Sequence, residues 1–467
     1  MLRPFALTLA TAVLVAFSVP TKSPAVARTG AADDKPRFDV SDISYLWPVP
    51  KTQADVDALI SADTTDPATT AALWDETVFK QMLAIVTSDA AAIQHPNGVT
   101  RKIALRPEFS DRKTWKVVAF RADPSAPGGN QTIVDKFGST PQLRLILQPV
   151  TVESGVVKIH DFTAHLVYSY FTLKEAPKDG FIPPANPDIV KFRAILDDLA
   201  ALKAQLKHNG IDTQGMPLGV HPGLNGNAGG AGFAADVQAF LTRQVNVRNL
   251  SAMAFMGLAP TPEPWIFVAA RNLGNGIFVP APVPAIGFKS AQMFDQSDRA
   301  PVVVPNPTPS NRNPITNFVG PPVADHRGVA TLALFAGNFQ PDAPATVSVS
   351  GPPIPDPDGL TNKDIADLIA NPEKSHFFSN DCFSCHSEST RRKILALPVG
   401  AIAYKRPNGV SGVDPKVLPS QLWNVRNFGW FPDVLNAGIT TPTVTQRTAN
   451  ETADCVQFIN KVYFSNP

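Results

Sequence analysis

Short apolar runs over most of the chain show the alternation of apolar and polar positions that is typical of β-strands. Three of them lie between positions 113 and 171: KTWKVVAFRAD, PQLRLILQPVTV and VVKIHDFTAHLVYSYF. Three more follow: LSAMAFMGL, EPWIFVAARN and GVATLALFAGN. β-branched and aromatic residues in such runs predict strands, and the Pro-rich and Gly-rich segments between them predict turns. The pattern therefore predicts a largely antiparallel sheet within residues 36–350.

Apolar residues at a spacing of three or four predict a few helices beside this sheet. The clearest helix covers about 186–210, with an apolar stripe of Ile189, Phe192, Leu196, Leu199, Leu202 and Leu206. A second helix is predicted from 67 to about 88. Capping-box pairs that begin at Thr361 and Thr448 predict two more helices, the last of them over 449–463.

The segment SGPPIPDPDG, residues 350–359, marks a predicted domain boundary. It holds four prolines and two glycines, and a connector of this composition is stiff and exposed. We therefore expect a body at 36–350, long enough to divide into two subdomains, and a C-terminal unit at 355–467. The predicted fold class is α+β, with a β-rich N-terminal body followed by a small all-α domain.

Residues 1–27 show the pattern of a secretory signal peptide. Arg3 gives a positive start, positions 5–19 are apolar or small, and Ala25-Val26-Ala27 is a small-x-small cleavage signal. The apolar stretch is shorter than the roughly 20 residues that span a bilayer. We therefore expect a periplasmic or secreted bacterial protein with no transmembrane span after cleavage.

Charge and cysteine content narrow the classes of partner and chemistry. The formal net charge of +1 argues against nucleic acid as the main partner. Three cysteines cannot build a disulfide scaffold, so their positions are considered as candidate cofactor, redox or metal sites.

Two cysteines stand directly before a histidine in Cys382-Phe383-Ser384-Cys385-His386. C-x-x-C-H is the attachment signature of c-type haem, in which the thiols form thioethers with the haem and the histidine ligates the iron. A dithiol redox motif would need a thioredoxin-like βαβ frame, which the surrounding pattern lacks. A zinc site would need two more ligands, and only His376 and Cys455 stand nearby. The sequence thus predicts covalently attached haem c, with its iron.

Over about residues 355–467 the chain resembles a single-haem c-type cytochrome domain, whereas the body resembles no family. In that family a helix with C-x-x-C-H is crossed by a C-terminal helix, and the predicted helix at 449–463 is suitably placed. The resemblance also implies a role for Pro398, twelve residues after His386. Its carbonyl would accept the Nδ1 hydrogen of that histidine and raise the basicity of the ring.

The sixth iron ligand departs from the family pattern. Family members usually supply a methionine downstream of the haem motif, but all six methionines here precede Cys382. Three alternatives stay open: His376 as the metal ligand, Met253 or Met256 from a closely packed body, or an open or water-bound iron. An open site would admit peroxide or small ligands.

Other residues allow a functional and a structural interpretation. The segment LWNVRNFGWFP either offers Arg426 to a haem propionate or is ordinary core with an exposed arginine. The run Arg391-Arg392-Lys393 is either a solvated face or a site for propionates or an acidic redox partner. His160 and His165 lie five apart in a predicted strand, hence on opposite faces, and cannot share a metal. Cys455 is expected to be a buried free thiol.

These patterns predict haem binding and single-electron transfer, with a redox partner protein. Two other functions stay open: a peroxidase-type haem enzyme with an open distal site, and a haem-based ligand or redox sensor with a binding body. Bacterial dihaem peroxidases carry two C-x-x-C-H motifs, whereas this chain has one.

Overall fold

A computed structural model describes residues 38–94, 100–124, 141–173, 185–187, 189–226, 228–230, 232–258, 265–274, 276–281, 291–295, 302–304, 342, 346–347, 354–355, 359–372, 382–398, 413–419, 424–433 and 439–464. The predicted signal peptide, the predicted strand GVATLALFAGN and the candidate ligand His376 lie outside the described residues. Residues 37–467 form one compact unit.

The described chain contains eight α-helices and eighteen strands. The helices are α1 (Val40–Ile43), α2 (Gln53–Asp57), α3 (Glu76–Thr87), α4 (Ile189–His208), α5 (Phe233–Gln244), α6 (Asn362–Ala370), α7 (Cys382–Ile394) and α8 (Gln446–Phe458), which ends in a π-helical turn, Ile459–Tyr463. The strands are β1 (Ser44–Leu46), β2 (Ile93–Gln94), β3 (Thr100–Arg101), β4 (Trp115–Asp123), β5 (Gln142–Glu153), β6 (Val156–Ile159), β7 (Thr163–Ser169), β8 (Phe171–Leu173), β9 (Ala185–Pro187), β10 (Leu250–Leu258), β11 (Trp265–Asn272), β12 (Phe278–Pro280), β13 (Ala291–Asp295), β14 (Val302–Val304), β15 (Thr346–Val347), β16 (Ile354–Pro355), β17 (Phe428–Asp433) and β18 (Ile439–Val444).

Ten of these strands form one antiparallel sheet in the order β1-β4-β5-β7-β10-β11-β13-β14, with β6 paired to β5 and β12 paired to β11. Along this order the strands also follow one another in the chain, so the sheet is a meander. Its antiparallel pairing and its mixture with helices confirm the predicted α+β body with a largely antiparallel sheet.

The predicted helices are present in the structure, but some of their ends differ from the prediction. Helix α4 agrees with the prediction. Helix α3 begins later than expected, because the side chain of Asp75 accepts the amide hydrogens of Thr77 and Val78 and caps the helix there. Thr361 forms the expected capping box with Asp364. The capping box predicted at Thr448 is wrong, because α8 already begins at Gln446 and Thr445 caps it by accepting the amide hydrogen of Thr448.

The two faces of the sheet have different coverings, because side chains alternate along each strand. On one face, Trp115 contacts Phe79 of α3 with ring centroids 6.3 Å apart, and Phe120 contacts Phe240 of α5 at 5.8 Å. The other face carries Gln148, which points to the C-terminal part of the chain. Helices α3 and α5 thus lie on one side of the sheet, and the segment that contains Trp430 lies on the other.

The C-terminal part is not all-α, since a hairpin of β17 and β18 stands between α7 and α8. The aromatic segment that contains Trp430 forms a strand because it packs on the sheet. The Gln148 side chain donates to the carbonyl oxygen of Trp430 at 2.8 Å and accepts its amide hydrogen at 2.7 Å. The indole Nε1 of Trp430 donates to the carbonyl oxygen of Trp47 at 2.8 Å.

Helix α8 is joined to the same face through a buried polar network. Arg121 of β4 donates to Glu451 at 2.9 Å and to Asp123 at 2.8 Å. Cys455 is a buried free thiol, as predicted, and its Sγ donates to Asp123 Oδ1 at 3.0 Å. These contacts place α8 directly on the body sheet. In the described part of the chain, no helix is both long enough and apolar enough to span a membrane.

Candidate cofactor site

The C-x-x-C-H motif forms the first turn of α7. Cys382 and Cys385 are half-buried and lie three positions apart, so their side chains share one side of the helix. All three cysteines of the chain are described, and none forms a disulfide. His386 follows at once and is also half-buried. One helical turn therefore presents two thiols and one imidazole.

The His386 imidazole is fixed by a backbone carbonyl. Its Nδ1 lies 2.9 Å from the carbonyl oxygen of Val425, and a carbonyl only accepts, so Nδ1 carries the hydrogen. Burial lowers the pKa of His386 to about 4. The ring is therefore neutral at pH 7, and its Nε2 carries an unprotonated lone pair, the form that binds a metal.

The carbonyl acceptor expected from Pro398 is thus supplied by another residue. Pro398 is exposed beyond the end of α7, whereas Val425 lies in the segment that leads into β17. Thr390, one turn after His386, donates to the neighbouring carbonyl oxygen of Asn424 at 2.9 Å. Two side chains on one side of α7 therefore bind consecutive carbonyls of the same segment, which explains why Val425 is in reach.

An apolar cluster lies against the cysteine end of the turn. Met256, Trp265, Phe267 and Val425 form this cluster, and Cys382 packs against it. The Phe267 ring lies 5.0 Å from the His386 ring, between centroids, at an angle of 62°. Side chains of β10 and β11 thus form an apolar surface beside Cys382 and His386.

His165 of β7 also lies beside His386, with ring centroids 5.8 Å apart. Its Nε2 is buried and has no hydrogen-bond partner among the described residues. Burial holds the pKa of His165 well below its ordinary value, and the nearby His386 and Arg426 lower it further. His165 is therefore a second neutral imidazole at the site.

Arg426 is buried and forms an ion pair. Its Nη2 donates to Asp161 Oδ1, and Trp265 Nε1 donates to Asp161 Oδ2 at 2.9 Å. The Nε and Nη1 groups of Arg426 are buried without a hydrogen-bond partner in the described structure. A buried guanidinium with two unpaired donors fits a second carboxylate. The alternative of an exposed arginine is therefore wrong, and the pairing with Asp161 was not predicted.

The neighbouring basic run does not form a solvated face or a docking site at Arg392. The side chain of Arg392 is buried, donates to Asp367 at 2.7 Å, and is ion-paired with Glu388 at 2.5 Å. Lys393 is half-buried. Arg392 therefore joins α7 to α6 and takes no part in the cofactor site.

The candidate methionine ligands lie on opposite faces of β10. Met253 faces the main core on the side of the body helices, away from His386. Met256 faces the C-terminal part and belongs to the cluster beside Cys382. Of the two, only Met256 stays a candidate ligand.

His160 and His165 are separated as expected, although not in the way that strand alternation implied. His160 precedes β7, and its Nε2 lies 2.8 Å from Thr151 Oγ1. His165, Asp161 and Val425 were not identified as site residues from sequence. His165 stands in a strand between Ala164 and Leu166, and the residues that it contacts cannot be predicted until the pairing of the strands is known.

Among the described residues, no cluster of three or more His, Cys, Asp or Glu side chains could hold a metal ion by itself. The chain matches no protein-family model, no curated protein and no solved structure. The groups present nevertheless fit a haem: two thiols, a neutral imidazole with a bare Nε2, an apolar wall and a buried guanidinium with unpaired donors.

Proposed function

We propose that this chain is an exported c-type haem protein that transfers single electrons between redox partner proteins. Cys382 and Cys385 would hold the haem through thioethers, and His386 would ligate its iron. The observation that carries the proposal is the imidazole of His386, which sits beside two half-buried thiols and is fixed by Val425 with Nε2 unprotonated.

Haem c would supply a one-electron couple at its iron. The chain's own residues would tune that couple. The hydrogen bond to Val425 raises the basicity of His386 and holds its ring orientation. The apolar side chains of Met256, Trp265 and Phe267 would lie beside the haem next to Cys382.

Arg426 would hold a haem propionate. Its unpaired Nε and Nη1 groups are buried beside the site, and Asp161 balances only one side of the guanidinium. A propionate would supply the second carboxylate that this geometry lacks.

The finer architecture that we propose is a cytochrome c-like helix pair fused to the body. Helix α7 carries the motif and contacts α8, and the Ser389 hydroxyl accepts the amide hydrogen of Gln446 at 2.9 Å. The hairpin β17–β18 between them and the packing on the sheet are additions to the family pattern. Export is supported by the leader of residues 1–27.

A stopped-flow experiment tests the function. The reduced, purified full chain is mixed with an oxidised soluble c-type cytochrome, and separately with hydrogen peroxide and a reducing dye. We expect fast one-electron exchange with the cytochrome and no sustained peroxide turnover. Peroxide turnover without exchange would contradict the proposal and favour a peroxidase-type enzyme.

A further inference from the structure

The buried Nε2 of His165 requires an explanation. A buried polar atom without a partner is destabilising, and such atoms are few in folded proteins. No hydrogen-bond partner for this atom exists within the described residues. An imidazole nitrogen held in this way is suited to a metal, which replaces the missing partner.

The distance between His165 and His386 suits one metal between two imidazoles. The ring centroids are 5.8 Å apart and the rings are tilted by 43°. Two imidazole–metal bonds of about 2 Å each place the ring centroids roughly 6 Å apart. Val425 already binds Nδ1 of His386, so that ring has Nε2 left for a ligand. The Nε2 of His165 has no hydrogen-bond partner among the described residues.

The surface of the sheet beside His165 carries small side chains. Ala254 of β10 is the direct neighbour of His165, and Ala269 of β11 is the neighbour of Ala254. Both alanines are partly exposed although their strands are central in the sheet. These small side chains leave space for a flat group against the sheet, whereas larger side chains would fill that space.

We propose that His165 is the second axial ligand of the haem, opposite His386. This inference rests on the proposed function, since it requires haem at Cys382 and Cys385. The ligand would come from the body strand β7, so the cofactor would join the body to the C-terminal part. The iron would have two strong nitrogen ligands, which favours electron transfer over peroxide or gas chemistry and gives a lower potential than His/Met ligation.

The experiment uses the full chain produced with haem c maturation factors. Visible spectra of the reduced protein are recorded before and after addition of carbon monoxide, for the unmodified chain and for His165→Ala. His160→Ala is the matched control, since it removes a buried histidine that lies five positions from His165. Met256→Leu and His376→Ala test the competing ligands.

We expect the unmodified protein, His160→Ala, Met256→Leu and His376→Ala to be low-spin and slow to bind carbon monoxide. His165→Ala should become high-spin and bind carbon monoxide at least tenfold faster, and added imidazole should restore the low-spin spectrum. His165→Met, which keeps a ligand, should stay low-spin with a raised midpoint potential. Near-infrared magnetic circular dichroism of the unmodified ferric protein should show the band of two imidazoles, which is a test that needs no variant.

Three results would overturn the inference. A low-spin spectrum in folded His165→Ala would refute it, as would a near-infrared band typical of a thioether ligand. A high-spin unmodified protein would show that the iron has no second strong ligand. In each of these cases covalent haem is present and the proposed haem protein stands, whereas an unmodified chain without covalent haem would refute both.

Discussion

The ion pair of Arg426 and Asp161 provides a quantitative test of the structure at the site. The exposed fraction is 0% for the Arg426 side chain and 4% for that of Asp161. Asp161→Asn removes the negative charge but keeps the shape of the side chain. The asparagine oxygen can still accept from Trp265 Nε1, which turns the amide NH2 toward Arg426, so the substitution removes both the charge and the acceptor opposite the guanidinium.

The expected cost follows from burial. Removing one partner of a buried pair costs about 3–5 kcal/mol, because the other charge stays buried and uncompensated. Arg426 cannot relieve this by losing its proton. Arg426→Met should cost less, because burial raises the pKa of Asp161 and the carboxyl can take up a proton. The double variant should cost less than the sum of the two single variants.

The assay is urea unfolding of the full chain in a Cys382→Ser, Cys385→Ser background, so that no haem contributes. Asp89→Asn is the control, because the Asp89 side chain is 95% exposed in its pair with Lys102 and exposed pairs contribute about 0–1 kcal/mol. A cost for Asp161→Asn no larger than that of the control would refute the buried pairing.

Two further predictions concern the sheet interface and pH. Gly429→Ala should lower the free energy of unfolding in urea by about 2–4 kcal/mol, because Gly429 has a φ of +144° and a new Cβ would lie 2.7 Å from Gln148 Oε1. Gly155→Ala is the control and should cost clearly less, since Gly155 has a φ of +80° but open space around it. Equal costs for the two substitutions would contradict the packing of β17. Burial lowers the pKa of His221 from 6.5 to about 3. Between these pH values the unfolded chain binds a proton at His221 and the folded chain does not, so the stability of the folded protein decreases as the pH falls below 6.5. At about pH 4.5 this loss should reach roughly 3 kcal/mol relative to His221→Leu, and parallel pH profiles of the two proteins would refute it.

Local patterns in the sequence predicted the local parts of the structure. The C-x-x-C-H spacing predicted two thiols and an imidazole on one helical turn, and α7 begins at Cys382. The apolar stripe over 186–210 predicted α4, because helical periodicity requires only near neighbours. The alternating runs likewise predicted the antiparallel strands of the body.

Long-range pairings could not be predicted in the same way. The proximity of His165 to His386 depends on the register of β7 and on the packing of α7 over the sheet. The acceptor for His386 is a backbone carbonyl, which every residue carries, so Val425 has no sequence signal. The hairpin was missed because Pro432 and Pro442 weaken its strand pattern, although a two-stranded ribbon has free edges that tolerate proline.

The central claim is covalent haem at Cys382 and Cys385. Haem staining on a denaturing gel, with intact-protein mass, measures it directly for the full chain expressed with export and haem c maturation factors. The account predicts one haem per chain in the unmodified protein and in Cys455→Ser, whose thiol is buried in the α8 interface, and none in Cys382→Ser, Cys385→Ser. An unmodified chain without covalent haem, or a double serine variant that keeps it, would contradict the account.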